Sequence, residues 1–277
     1  MKKRPLSPMV LLIAAFSFFA CESNTEAPIA EASTEVGTAP EDTTTNDWLS
    51  KILGPIPTEI SYLTGQFEPA THPDFTAIDP AHTNKTGIYL RKDTYEAFKR
   101  MHRDAARDGI VLTIVSATRN FEAQKRIWED KWTGKRQVDG EYLSAEVADA
   151  EARARKILRY SSMPGSSRHH WGTDIDLNAL TNSFFAAGEG LTIYNWLINN
   201  AYKYGFCQPY TAKGSDRPNG YEEEKWHWSF LPIAKPLTDL ARDSMRNEQI
   251  TGFLGHETAV RIGIRENYIL GINPNCL

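Results

Sequence analysis

This chain of 277 residues has little that suits nucleic acid, nucleotide phosphates or a membrane span. Its 31 Lys and Arg are scattered among 35 Asp and Glu for a net charge of −4, so no basic stripe offers itself to a nucleic acid backbone. No glycine-rich phosphate loop of either standard pattern is present. The longest apolar run, residues 9–20, is too short to cross a bilayer comfortably, and no internal repeat marks a solenoid. Cysteine is scarce, at three, and histidine nearly so, at seven. What is abundant is ordinary: 41% hydrophobic and 24% charged side chains, enough for one large globular domain or two small ones.

The short apolar run has a setting. Lys2, Lys3 and Arg4 precede it, the pattern of a secretory signal. It ends in "SFFAC", which resembles the lipobox of bacterial lipoproteins, where the signal is cut before a cysteine that then carries lipid. Residues 22–46, rich in Thr, Glu, Ala and Pro with almost no large apolar groups, cannot offset the entropy of ordering and read as a flexible linker. The expected organisation is therefore a signal peptide at 1–20, a lipidated Cys21 with linker at 21–46, and a folded domain at 47–277. Such a chain is exported and anchored to a membrane, facing the periplasm; Glu22 is not the aspartate that marks inner-membrane retention, which points to the outer membrane. With Cys21 lipidated, Cys207 and Cys276 remain as a pair. Either they are two free buried thiols, or a disulfide between them closes a loop of about 70 residues and stabilises by roughly 4 kcal/mol in the chain-entropy account.

Within the folded part, Tyr95, Phe98, Met101 and Ala105 share one helical face, with Asp93 and Glu96 spaced as a capping box and Gly109 as a stop. The β-rich run 110–116 is expected to be a central strand. Asn120 can cap a second helix, and Ser144 opens a third that runs to Tyr160. "WGTDIDL" alternates, with Asp174, Asp176 and Asn178 on a face expected to be wet. A helix is expected over 191–204, a strand carrying His227 through "KWHWSF", and a helix over 234–247. Strands and helices mix without regular alternation, so the fold class is α+β with a small central antiparallel sheet and flanking helices.

A catalytic zinc needs three protein ligands. His169, just before the strand carrying Asp174 and Asp176, supplies one; the two aspartates share a face, so either can be the ligand and the other can orient an imidazole. His227 on the later strand is the natural third ligand. Glu224, three residues before it, is placed to be a general base if it sits in the turn or bulge entering that strand. Arg119, between strand and helix, suits a carboxylate or an oxyanion. His72, His82, His102 and His256 read as structural or solvated, and His170 as a neighbour of the site.

These residues carry a family resemblance. "SSRHHWGTDID" is similar to the Ser-x-His-x-x-Gly-x-Ala-x-Asp signature of zinc D-alanyl-D-alanine peptidases of the VanX/VanY type, with Ser167, His169, Gly172 and Asp176 in register. "EKWHW" resembles their Glu-x-Trp-His, and "SATRNFEAQ" their Ser-x-Tyr-Arg-Ser-x-x-x-Gln, with Ser116, Arg119 and Gln124 matching. The resemblance implies a Hedgehog/DD-peptidase-like fold, Zn²⁺ held by His169, Asp176 and His227, Glu224 and Arg119 in catalysis, and Arg119, Gln124, Ser167, Ser116 and the extra carboxylate Asp174 toward substrate. The chain departs from the pattern at Asp174, which stands in place of Ala, and at Thr118 and Asn120 around the arginine. The implied activity is D,D-carboxypeptidase action on peptidoglycan stem peptides by a monomer, with no nucleic acid partner. L,D-carboxypeptidase, endopeptidase and non-catalytic zinc-binding readings remain beside it.

Overall fold

The computed structural model describes residues 43–277. The expected signal segment, Cys21 and the linker up to residue 42 lie outside the described residues; the linker's last positions begin the first helix, α1 (Thr43–Ile52). A two-stranded antiparallel ribbon follows, β1 (Phe75–Ala77) with β2 (Tyr89–Arg91). It leads directly into α2 (Lys92–Arg107), whose Tyr95, Phe98, Met101 and Ala105 are all buried as their spacing requires. Asp93 does not cap this helix; its carboxylate pairs at 2.8 Å with Arg91, and both side chains are buried. Gly109 ends the helix at φ 76°, where an L side chain is strained.

The run 110–116 yields only three paired residues, β3 (Ile114–Ser116), and it is an edge strand rather than a central one. Ile110 and Leu112 are buried while Val111 is 60% exposed, so the approach to β3 packs on the core without a ladder partner. The free edge is covered by Thr83, whose hydroxyl donates to the Ile114 carbonyl at 2.7 Å. Asn120 then caps α3 (Phe121–Trp132), accepting from the Ala123 amide at 2.9 Å. The third helix expected from Ser144 to Tyr160 is broken. Leu143–Glu146 forms a single turn, Val147 is extended, and the Asp149 side chain caps a new helix, α4 (Ala150–Ile157).

The main sheet is completed by β4 (Asp174–Leu177), β5 (Phe206–Cys207) and β6 (His227–Phe230), in the order β3-β4-β6-β5 and antiparallel throughout. The face of β4 expected to be wet is polar but dry: all four of its residues are buried. Between β4 and β5 lies α5 (Gly188–Asn200), with Ile193 and Leu197 inward; after β6 comes α6 (Leu231–Ser244), which starts with Pro232 in its first turn. The small antiparallel sheet with helices around it is the α+β class expected from the pattern.

Cys207 and Cys276 form a disulfide across 69 residues, which ties the C-terminal segment to β5. Asn273 reinforces that attachment through its amide to the Pro209 carbonyl at 2.8 Å. Among the described residues, no helix is long and apolar enough to cross a membrane.

Candidate active site

The sheet register assembles the site. Pairing of β4 with β6 sets Asp176 opposite His227 and Asp174 opposite Ser229, so the alternating polar residues of both strands converge on one side. A 3₁₀ turn, Arg168–Trp171, brings His169 over that side, and Gly172 at φ 72° turns the chain back into β4. A Cβ at Gly172 would stand 2.4 Å from the Phe75 ring, so the signature glycine is required both by its backbone conformation and by the space.

His169 Nε2 lies 3.4 Å from Asp176 Oδ2, and His227 Nδ1 lies 3.2 Å from Asp176 Oδ1. One donor atom from each of the three residues falls within 4.8 Å of the others, and all three side chains are buried. The opposite ring nitrogens fix the tautomers. His169 Nδ1 contacts the Ala117 carbonyl at 2.8 Å, an acceptor only, so the proton is there and the lone pair of Nε2 faces the aspartate. His227 Nε2 contacts Asp174 Oδ1 at 2.8 Å, which leaves Nδ1 as the free donor atom. Asp176 Oδ1 is buried and, among the described residues, accepts no hydrogen bond. Two ring nitrogens and a carboxylate oxygen facing one point are what a divalent cation joins, and two imidazoles with one carboxylate suit zinc. His169, Asp176 and His227 therefore fit a zinc ion.

Electrostatics at this point are strongly coupled. Burial opposes charge on Asp176, yet His169 and His227 outweigh it and hold its pKa well below the usual carboxylate range. Burial also opposes charge on His227, but Asp174, Asp176 and Glu224 around it raise its pKa well above the ordinary value. His169 is lowered, by burial and by Arg119.

Glu224 occupies the turn before β6, as its spacing from His227 requires, with its Oε2 at 3.3 Å from His227 Nδ1. Its backbone is clamped: the Glu224 amide donates to the Tyr210 carbonyl at 2.9 Å, and the buried Gln208 side chain donates to the Glu224 carbonyl at 3.1 Å. Burial raises its pKa, the shift that makes a carboxylate a better proton acceptor.

Arg119 reaches the same cleft. Its Nη1 is 3.8 Å from Asp176 Oδ2 and donates to the Ser116 hydroxyl at 2.7 Å, while its Nε donates to Gln124 Oε1 at 2.9 Å. Gln124 in turn donates to the Ser162 carbonyl at 2.8 Å. Both ends of Gln124 are thus engaged and both it and Ser116 aim the guanidinium; Gln124 lines the cleft, as expected of a residue toward substrate, whereas Ser116 stands behind the arginine and off the cleft wall. Ser167 does line the cleft, fully buried and with its hydroxyl free of any partner among the described residues.

Asp174, expected to face substrate, is fully buried behind His227 and absent from the cleft wall. Its carboxylate accepts from His227, from the Thr173 hydroxyl at 2.5 Å, from the Ser229 hydroxyl at 3.1 Å and from Arg168 Nε at 3.3 Å. Arg168, equally buried, also donates to Ser229 and Thr238 and lies over the Trp171 ring. The side chain that replaces Ala in the signature thus holds the His227 ring in orientation, with Arg168 as its countercharge.

His170 is neither exposed nor at the cleft. The Gly165 amide donates to its Nε2 at 3.0 Å, so its Nδ1 donates to the Arg119 carbonyl at 2.6 Å, and burial pushes its pKa down to about 3. It locks the arginine-bearing loop onto the histidine turn. The reading of the sequence missed Lys131, Tyr210 and Tyr221, all on the cleft wall. For Lys131 there was a signal: it lies seven residues after Gln124, on the same face of α3.

A buried cluster of two imidazoles and a carboxylate, with a second carboxylate beside it and an arginine across a cleft of about 550 Å³, is an arrangement able to hydrolyse amides with a metal ion. The family model described as VanY, D-alanyl-D-alanine carboxypeptidase, matches residues 87–233, and the chain belongs to that family. It is 30% identical over 155 residues to YodJ of Bacillus subtilis (strain 168), covering 54% of this chain and 50% of that protein. It is likewise 30% identical over 131 residues to a D-alanyl-D-alanine carboxypeptidase of Enterococcus faecalis (strain ATCC 700802 / V583), covering 47% and 44%. The match spans about half the length of these curated relatives. Among solved structures, the D,D-pentapeptidase VanY from a VanB-type resistance cassette, in complex with Zn(II), aligns with a TM-score of 0.45 and 22% identity over 66% of this chain and 92% of that one.

Proposed function

We propose that the chain is a zinc-dependent D,D-carboxypeptidase that releases the terminal D-alanine of peptidoglycan stem peptides, working outside the cytoplasmic membrane on a lipid tether at Cys21. The observation that carries this reading is Glu224: a buried carboxylate with raised pKa, 3.3 Å from a ligand imidazole, is what a hydrolase needs and a silent zinc module does not. His169, Asp176 and His227 would hold the ion. When bound, zinc supplies Lewis acidity that polarises a carbonyl and makes water easier to deprotonate.

The chain's own residues do the rest. Asp174 and the Ala117 carbonyl keep the two imidazoles turned toward the site. Arg119, aimed by Ser116 and Gln124, stabilises negative charge as it develops on the scissile carbonyl oxygen. Glu224 accepts a proton from the attacking water and returns it to the departing amine, so one residue serves as base and then as acid.

The test is product identity. Incubated with pentapeptide, tetrapeptide and cross-linked stems, the purified chain is expected to release free D-alanine from the pentapeptide, read by mass spectrometry. Release from the tetrapeptide alone would replace this reading with an L,D-carboxypeptidase, cleavage of cross-links alone with an endopeptidase, and no product from any stem with a binding module.

A further inference from the structure

Glu224 stands near the end of the connection between β5 and β6, residues 208–226, which contains no helix or strand. Connections of this length are usually functional or mobile, and a catalytic group displaced by about 1 Å can lose about 100-fold in rate. Something must hold this one still. At its start, the Gln208 side chain donates to the carbonyls of Tyr210 at 3.2 Å and Glu224 at 3.1 Å, and the Tyr210 carbonyl also accepts from the Glu224 amide at 2.9 Å. Gln208 and Tyr210 are therefore the bed on which the base rests.

That bed is gripped by the C-terminal segment. Asn273 donates from its side chain to the Gln208 carbonyl at 3.1 Å and from its backbone to the Pro209 carbonyl at 2.8 Å. Gly271 lies against Gly220, where a Cβ would stand 2.1 Å from the Gly271 carbonyl oxygen, and the Tyr268 and Tyr221 rings meet at 5.1 Å between centroids. One covalent bond fastens these contacts: Cys276, fully buried, is joined to Cys207, the residue before Gln208. Cys207 is half-buried and, with Gln208 and Asn273, borders a surface cavity of about 320 Å³, a space open to a small reductant.

We propose that the Cys207–Cys276 disulfide is a redox latch that positions Glu224: closed, it keeps residues 268–276 on the Gln208–Tyr210 bed, and opened, it lets the base lose its aim while the zinc ligands keep theirs. The inference rests on the hydrolytic reading above. A thiolate of a dithiol opens the latch by attacking the Cys207 sulfur, which releases Cys276 to take up a proton; the second thiol of the reductant then displaces Cys207 as a thiol, so two electrons and two protons pass to the protein and the reductant leaves as a disulfide. The zinc ligands are insulated because they stand on the 3₁₀ turn and on β4 and β6, which pair with each other. The far limb of the connection also stays pinned, since the Asn182 side chain donates to the Glu223 carbonyl at 2.7 Å and accepts from the Lys225 amide at 3.1 Å. Opening therefore tilts the base rather than unfolding its loop. Such a chain works at full rate only in an oxidising compartment.

The experiment measures kcat on a pentapeptide stem and zinc content for the oxidised, reduced and reoxidised parent and for C207S/C276S, each with and without E224Q. The reductant is a phosphine, because a dithiol would compete for zinc. Reduction and C207S/C276S should each lower kcat by about 10- to 100-fold with zinc unchanged, and reoxidation should restore the parent alone. In the E224Q background the residual rate should change by less than about 2-fold, since the group being aimed is already gone. N273A, which keeps the disulfide and removes one contact to the bed, should lower kcat by a few-fold and decides the matter should C207S/C276S fold poorly; an undiminished rate in N273A overturns the proposal. So does a loss on reduction that is equal in the parent and in E224Q, or one that comes with loss of zinc. A reduced parent as active as the oxidised one overturns it and leaves the hydrolase reading standing; an oxidised parent that turns over no stem removes both.

Discussion

Replacing Glu224 with Gln is expected to lower kcat on a pentapeptide stem by about 10²- to 10⁴-fold, the usual contribution of a positioned general base, while zinc content stays at the parent level. The two halves of this result come from different atoms. Glu224 is not needed to complete the set of two imidazoles and one carboxylate, whose donor atoms all lie within 4.8 Å of one another without it. Its backbone contacts to Tyr210 and Gln208 survive the substitution, so the amide occupies the same turn with nearly the same volume. What disappears is a group able to accept a proton. Steady-state kinetics with metal analysis by mass spectrometry reads both quantities, and a fully active Glu224→Gln protein would remove the proposed base.

Asp174→Ala is expected to have two separable effects. The first is on the fold: Arg168 is buried against the Trp171 ring with Asp174 as its only ion-pair partner among the described residues, and breaking a buried pair from one side costs about 3–5 kcal/mol. The second is on the metal. Without an acceptor for Nε2–H, His227 is no longer held in the tautomer and orientation that turn Nδ1 toward Asp176, and losing such a partner weakens metal binding about 10- to 100-fold. Asp174→Ala combined with Arg168→Met should recover much of the stability, since no unpaired charge remains, yet still bind zinc weakly. Denaturant unfolding and zinc competition against a chelator measure the two effects. If the double variant bound zinc as the parent does, Asp174 would have no part in orienting His227.

Much of this site could be read in one dimension, because its components announce themselves locally. Asn120 caps a helix, Glu224 falls in a turn because three residues cannot keep one face of a strand, and His169 precedes a strand with alternating acids. The choice between Asp174 and Asp176 could not be read from alternation, since both occupy one face of β4. It is made across the sheet, where Asp176 pairs with His227 and Asp174 with Ser229. The substrate-facing role expected of Asp174 failed for a related reason: alternation separates faces but does not say what covers them, and here Arg168 and Ser229 seal the polar face. The run 110–116 was legible as β-rich but not as an edge, because pairing depends on Thr83, some thirty residues upstream. The break at Val147 turned on Asp149, whose capping carboxylate competes with a continuous helix.

The most direct test is to strip the metal from the protein and follow D-alanine release from a pentapeptide stem as zinc is returned. The account predicts that release falls to background on stripping and rises linearly to a plateau at one zinc per chain, with no recovery in His227→Ala. Undiminished release from metal-free protein, or full recovery in that variant, would contradict it.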